Sequence, residues 1–203
     1  MTGAIADGVV ATLLGAGRAQ QPGSLATGKF RSCELRPMDR PATVKHWKEL
    51  QEPDTSTYPG DDEKLSISSS FAPAMGLFRF GVSYEILPPG RRTSYPHAEQ
   101  SEEEFVFVIE GTPDLWQDGH LHRLGPGDAV GWPSATGVAH TLINNSTADV
   151  RLLVVGEPSR RRSGIHYPLN PKRNAEVGER WWSEAPGHPQ GLHDGLPDAL
   201  RRK

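Results

Sequence analysis

Hydrophobic and polar positions change their pattern twice along the chain. The first sixty or so residues mix Gly, Pro, Ser and charged residues with little periodicity, and prolines at 37, 41, 53 and 59 punctuate them. One short helix is predicted over 43–50 (TVKHWKEL); the rest of residues 1–64 reads as an irregular N-terminal arm. From about Leu65 the pattern turns to short β-like runs between turn signals. They are GLFRFGVSYEIL (76–87), EEFVFVIEG (103–111), PDLWQDGHLHRL (113–124), DAVGW (128–132), VAHTLI (138–143) and VRLLVVG (150–156). Asp118-Gly119 favours positive φ at both positions and predicts a two-residue hairpin. No long amphipathic helix separates the runs, so residues 65–157 are predicted to form an antiparallel all-β barrel or sandwich. After Pro158 the pattern fails again, and the Pro- and Gly-rich stretch 158–203 is predicted to form no regular strands. Its Tyr167, Trp181 and Trp182 are costly to leave in water, so the tail is expected to pack on the barrel or on a partner subunit.

Composition narrows the partners. Among 203 residues there are 22 glycines and 18 prolines, which suits a turn-rich β protein with polar ends. Lys plus Arg number 22 against 25 Asp plus Glu, a formal net charge of -3, so the basic surplus of a general nucleic-acid binder is missing. Arg160-Arg161-Arg162 and Arg201-Arg202-Lys203 read as solvated runs. The single cysteine, Cys33, excludes an internal disulfide and a cysteine-rich zinc site. No apolar run approaches the ~18 residues of a bilayer span. The start MTGAIADGVVATLLGAG lacks a basic leader region and carries Asp7 early, so a soluble cytoplasmic protein with no membrane partner is expected.

Candidate chemistry lies in 88–111 and 125–145. His97 and Glu99 are two apart and share a face if extended. Glu104 opens the next apolar strand; if it points inward, so do Val106 and Val108. His140 shares a face with Val138 and Leu142. Imidazole and carboxylate groups inside a small barrel are expensive unless paired or bound to metal, so His97, Glu99, Glu104 and His140 point to a metal site. Tyr95 has the parity of His97 and is a candidate for a hydrogen bond to substrate. Trp116 and Trp132 read as packing or as lining of a pocket mouth, and His120 and His122 as a solvated hairpin edge. His188 and His193 lack partners at ligand spacing. The fragment GAGRAQ is no dinucleotide fingerprint, and no nucleophile elbow, P-loop or H-E-x-x-H occurs.

With these residues the chain resembles the single-domain members of the cupin superfamily. The first cupin motif, G-x5-H-x-H-x3,4-E-x6-G, is met by Gly90, His97, Glu104 and Gly111, with one extra residue after Gly90. The second, G-x5-P-x-G-x2-H-x3-N, is met by Gly127, Pro133, Gly137, His140 and Asn144, with two extra residues between proline and glycine. The resemblance implies a jelly-roll barrel, the double-stranded β-helix, with metal ligands at His97, Glu104 and His140. Glu99 stands where the family has its second histidine, and is either a fourth ligand or a general base. Two imidazoles and a carboxylate suit a divalent ion, Fe or Mn in the first place, Zn or Ni also. The resemblance further implies a small-molecule substrate and an enzyme of oxidoreductase, isomerase or lyase type, with Glu99 or Tyr95 moving protons. A non-catalytic metabolite-binding module is the alternative. Phe105, Phe107 and Ile109 have the parity opposite to Glu104 and give an apolar outer face, hence an expected homodimer.

Overall fold

The structure, a computed structural model, describes residues 40–157 and 163–201. The earlier part of the arm with Cys33, the Arg160-Arg161-Arg162 run and the last two residues lie outside them. The strands in chain order are β1 (Ile67–Ser70), β2 (Gly81–Leu87), β3 (Ala98–Glu99), β4 (Glu104–Glu110), β5 (Asp114–Gln117), β6 (His120–Arg123), β7 (Ala129–Trp132), β8 (His140–Ile143), β9 (Val150–Gly156) and β10 (Ile165–His166). Helices are short: α1 (Trp47–Leu50), α2 (Phe71–Ala74), α3 (Pro171–Val177) and α4 (Asp198–Arg201). One sheet has the order β1-β2-β9-β4-β7 and faces another of order β6-β5-β8, while β10 pairs with β3. All these strand pairs are antiparallel. The architecture is the expected double-stranded β-helix.

Strand alternation builds the core. Val106 and Val108 of β4, Leu152 of β9 and Leu87 of β2 turn inward and meet Leu115 and Leu142 from the facing sheet. Burying a side chain of this size is worth ~1.5–3 kcal/mol. That is enough to fix the register, because a one-residue slip would turn the whole set outward. Asp118 and Gly119 take φ of 46° and 83°, as the hairpin signal required. Gly119 also has a second constraint: a Cβ there would stand 2.5 Å from the backbone of Gly191.

The flanking segments are stapled to the barrel. Arg92, 5% exposed, donates to both carboxylate oxygens of Glu63 at 2.7 and 2.6 Å, and to the Gly195 carbonyl at 2.9 Å. Trp116 is fully buried and its Nε1 donates to the His193 carbonyl at 2.8 Å, while Gly191 N–H bonds the Asp118 carbonyl at 2.7 Å. Trp182 joins a second buried cluster with Ala98, Trp116, Ala139 and Ile143.

Several elements differ from the sequence reading. The run 76–87 becomes strand only from Gly81, and Phe78 before it is 84% exposed. Of 43–50 only the last turn is helical, capped by the His46 ring accepting from Lys48 N–H. The polar run ISSS pairs with β2 as β1, although its composition carries no strand signal. In the tail, Asn170 accepts from the Arg173 N–H at 3.0 Å and Pro171 occupies the first turn of α3, so a helix forms where only punctuation was read. Among the described residues no helix is long and apolar enough to cross a membrane.

Candidate metal centre and its cavity

Backbone pairing brings the first two ligands together. The segment before β3 runs antiparallel to β8: Gly90 N–H donates to the Asn144 carbonyl and Thr93 N–H to the Leu142 carbonyl, and His97 and His140 then exchange main-chain hydrogen bonds. His97 and His140 bond each other in both directions, at 3.2 and 2.9 Å, and their rings lie 5.0 Å apart. Glu104, the first residue of β4, pairs with Trp132 on β7 and Gly156 on β9, which brings its carboxylate to the same end of the barrel. One ligand atom from each of His97, Glu104 and His140 lies within 4.8 Å of the other two.

The ring nitrogens are sorted by their neighbours. His97 Nδ1 donates to the Tyr95 carbonyl at 2.9 Å, and His140 Nδ1 to the Val138 carbonyl at 3.2 Å. Each Nε2 is thereby left with a lone pair, the tautomer a metal needs. His140 Nε2 is 2.8 Å from Glu104 Oε2. Two acceptors at that distance are reconciled only by a proton or a cation between them. Burial pushes His97 below the ordinary imidazole value, and the neighbouring His140 lowers it further. Burial alone would raise Glu104, but the His140 hydrogen bond and the charge of both imidazoles outweigh it and hold the carboxyl below its usual range. Two imidazoles and a carboxylate are a donor set that fits a borderline divalent ion.

The group opens on a cavity of about 240 Å³. The Trp132 ring stacks on His140 at 3.7 Å and 8°, and its Nε1 donates to Gln117 at 3.2 Å, so the imidazole is clamped as well as hydrogen-bonded. Val106, Leu142, Val154 and Ile165 give apolar wall. Polar wall comes from residues the sequence reading missed. Tyr58 from the arm and Tyr167 from the tail meet edge-on at 6.1 Å. Glu85 of β2 lines the cavity too, with Ser66 donating to its Oε2 at 2.6 Å; burial pushes this carboxyl above its ordinary value. The one signal for Glu85 was its shared parity with Leu87.

Glu99 and Tyr95 stand outside the group of His97, Glu104 and His140 and off the cavity wall. After His97 the chain leaves β8 and pairs with β10, Glu99 opposite Ile165, so equal parity no longer means a shared neighbour. Burial, then the facing carboxylates of Glu104 and Glu102, push Glu99 up to about 9. Tyr95 donates its hydroxyl to Asp61 and sandwiches its ring between Tyr58, 3.9 Å away, and the Arg92 guanidinium at 4.7 Å. His120 and His122 are exposed on β6, and His188 Nε2 donates to the Thr136 carbonyl at 2.8 Å.

Comparisons with known proteins bear on the family and the fold. Residues 83–156 match the family model described as cupin domain. A sugar phosphate isomerase of the cupin superfamily from Silicibacter pomeroyi is 32% identical, over 50% of this chain and 64% of that one, with a TM-score of 0.48. A proposed sugar phosphate isomerase from Acidithiobacillus ferrooxidans is 23% identical, over 63% of this chain and 81% of that one, at TM-score 0.55. The polyketide cyclase RemF from Streptomyces resistomycificus is 21% identical, over 68% and 94%, at TM-score 0.52. The last two share the fold. No curated protein matches the chain.

Proposed function

Residues 83–156 are a cupin domain, and on that premise we propose that the chain is a metal-dependent enzyme acting on a small organic molecule inside the barrel. The observation that carries this reading is the commitment of both Nδ1 atoms to carbonyls, which turns both Nε2 atoms and the Glu104 carboxylate toward one point on a cavity wall. A divalent ion held there would supply Lewis acidity or, as iron or manganese, electron transfer for dioxygenase-type chemistry. The protein's own part is to bind, orient and exclude water. Val106, Leu142, Val154 and Ile165 supply apolar wall. Thr93 and Ser94 contribute polar wall, and Glu85 brings a carboxyl able to take or give a proton. Isomerase and lyase chemistry need only such a group and a Lewis acid.

Elemental analysis of purified full-length protein, followed by oxygen-consumption and isomer-formation screens with small hydroxy-carbonyl compounds, tests the proposal. It expects close to one divalent ion per chain, lost in His140→Ala together with turnover. Ligand binding without turnover across the screens would favour the metabolite-binding module instead. In this reading the molecule works as a homodimer joined through the outer face of the five-stranded sheet, where Phe105 and Ile109 are 41% and 42% exposed.

A further inference from the structure

The substrate class can be read from what lines the cavity away from the ligands. Among the described residues no lysine or arginine reaches its wall. Its ionisable groups, apart from the two histidines and Glu104, are the Glu85 carboxyl and the phenols of Tyr58 and Tyr167. Arg173 is the nearest candidate cation. Its guanidinium lies 5.1 Å from the Tyr58 ring and 5.9 Å from the Tyr167 ring, is paired with Glu176 at 3.1 Å, and lines a separate cleft with Asp61 and Asn170. A phosphate ester would therefore bring two negative charges to a wall whose described residues offer a carboxyl and, beyond the metal site, no lysine or arginine. Buried anions without such donors are strongly disfavoured.

Size and polarity point the same way. A cavity of about 240 Å³ is smaller than the roughly 300–1,000 Å³ of sites for drug-sized ligands. Its wall mixes apolar Trp132, Leu142 and Val154 with polar Glu85, Thr93 and Ser94. Such a wall matches a compound that carries both C–H surface and hydroxyls. Glu85 is placed for that task, because Ser66 holds one carboxyl oxygen from behind.

We infer that the cavity binds a small, uncharged polyhydroxy or hydroxy-carbonyl compound, not its phosphate ester, and that Glu85 selects it by hydrogen-bonding a hydroxyl. The inference rests on the proposed use of the barrel as a substrate site, and Glu85 is its specificity residue.

The test uses full-length protein, metal-free and manganese-loaded, in calorimetric titrations. The probes are matched pairs: dihydroxyacetone and its phosphate, D-ribose and D-ribose 5-phosphate, with inorganic phosphate alone. At least one uncharged probe is expected to bind, roughly tenfold or more tighter than its ester. Glu85→Ala should weaken that binding about three- to tenfold, the loss of one good hydrogen bond. Glu85→Asp, which keeps the carboxyl but shortens the reach, should do the same; circular dichroism checks that both fold. Tighter binding of the esters, no binding by any uncharged probe, or unchanged affinity in both folded variants would overturn the inference. Manganese uptake is measured on the same samples. No uptake sinks the proposed enzyme while the metal-free titrations still judge Glu85; uptake with esters preferred sinks the inference alone.

Discussion

His97 and His140 are joined by two reciprocal main-chain hydrogen bonds, 3.2 and 2.9 Å, although 43 positions apart in the chain. Backbone pairing, not side-chain contact, thus sets the spacing of the two imidazoles. Each ring is then oriented by a carbonyl two residues earlier on its own segment, Tyr95 for His97 and Val138 for His140. Preorganisation of this kind means that little side-chain freedom remains to be lost when a cation binds.

The arm is held by a buried ion pair, and breaking it should be expensive. Glu63→Ala leaves the Arg92 guanidinium, 7% exposed, without its carboxylate. A loss of about 3–5 kcal/mol in denaturant unfolding is expected. A loss under about 1 kcal/mol would mean that water replaces the carboxylate freely.

Glu85 gives a pH dependence of defined sign. Its folded-state pKa is raised above 4.5 by burial, so the folded protein holds the proton more tightly than the unfolded chain. Stability from this group is complete below the unfolded value and falls as pH rises from there toward the folded pKa. Glu85→Gln removes the ionisation, so its stability relative to wild type should improve as pH rises above the unfolded-state value, and level off once the folded-state pKa is passed. Metal-free protein unfolded by urea across that rise gives the measurement, and a flat difference would contradict it.

Tail docking can be tested at the hairpin turn. Gly119→Ala forces a side chain into a left-handed conformation at φ 83° and against the Gly191 backbone. An expected destabilisation of about 2 kcal/mol should come with faster proteolysis of the tail after Trp182. Wild-type resistance to protease in the variant would show that the tail is not docked through this contact.

Dimerisation through the outer sheet face predicts a two-chain mass in light scattering for the full-length protein. Phe105→Glu, which places a charge on that face, should give monomer with unchanged circular dichroism. A wild-type monomer at micromolar concentration would contradict the assignment.

How much of this was legible depended on the range of the contacts. His97, Glu104 and His140 lie in segments whose turns and alternation are local, and the structure brings the three together as their spacing suggested. Glu99 lies outside that group, because parity says which way a side chain turns, not which strand it will meet; at Glu99 the neighbour changes from β8 to β10. Glu85 is more instructive. In GVSYEIL apolar Val82, Tyr84 and Ile86 alternate with Ser83, Glu85 and Leu87, so the pattern alone does not say which face is buried. The structure buries Leu87 and turns Glu85 to the cavity, because Trp47 of α1 stacks on Tyr84 at 4.8 Å and covers the outside. A covering helix forty residues away leaves no trace in the strand it covers. Tyr58 and Tyr167 reach the cavity from irregular segments, where no periodicity exists to read.

The proposed site holds a single cation on His97, Glu104 and His140 without Glu99. Cobalt(II) titration of metal-free full-length protein, followed by visible absorption, is the decisive measurement, because ligand-field bands report imidazole coordination. One cobalt per chain is expected in wild type, in Glu99→Gln and in Tyr95→Phe, with loss of the bands in His97→Ala and His140→Ala. Loss of binding in Glu99→Gln, or wild-type protein that takes up no cobalt, would contradict it.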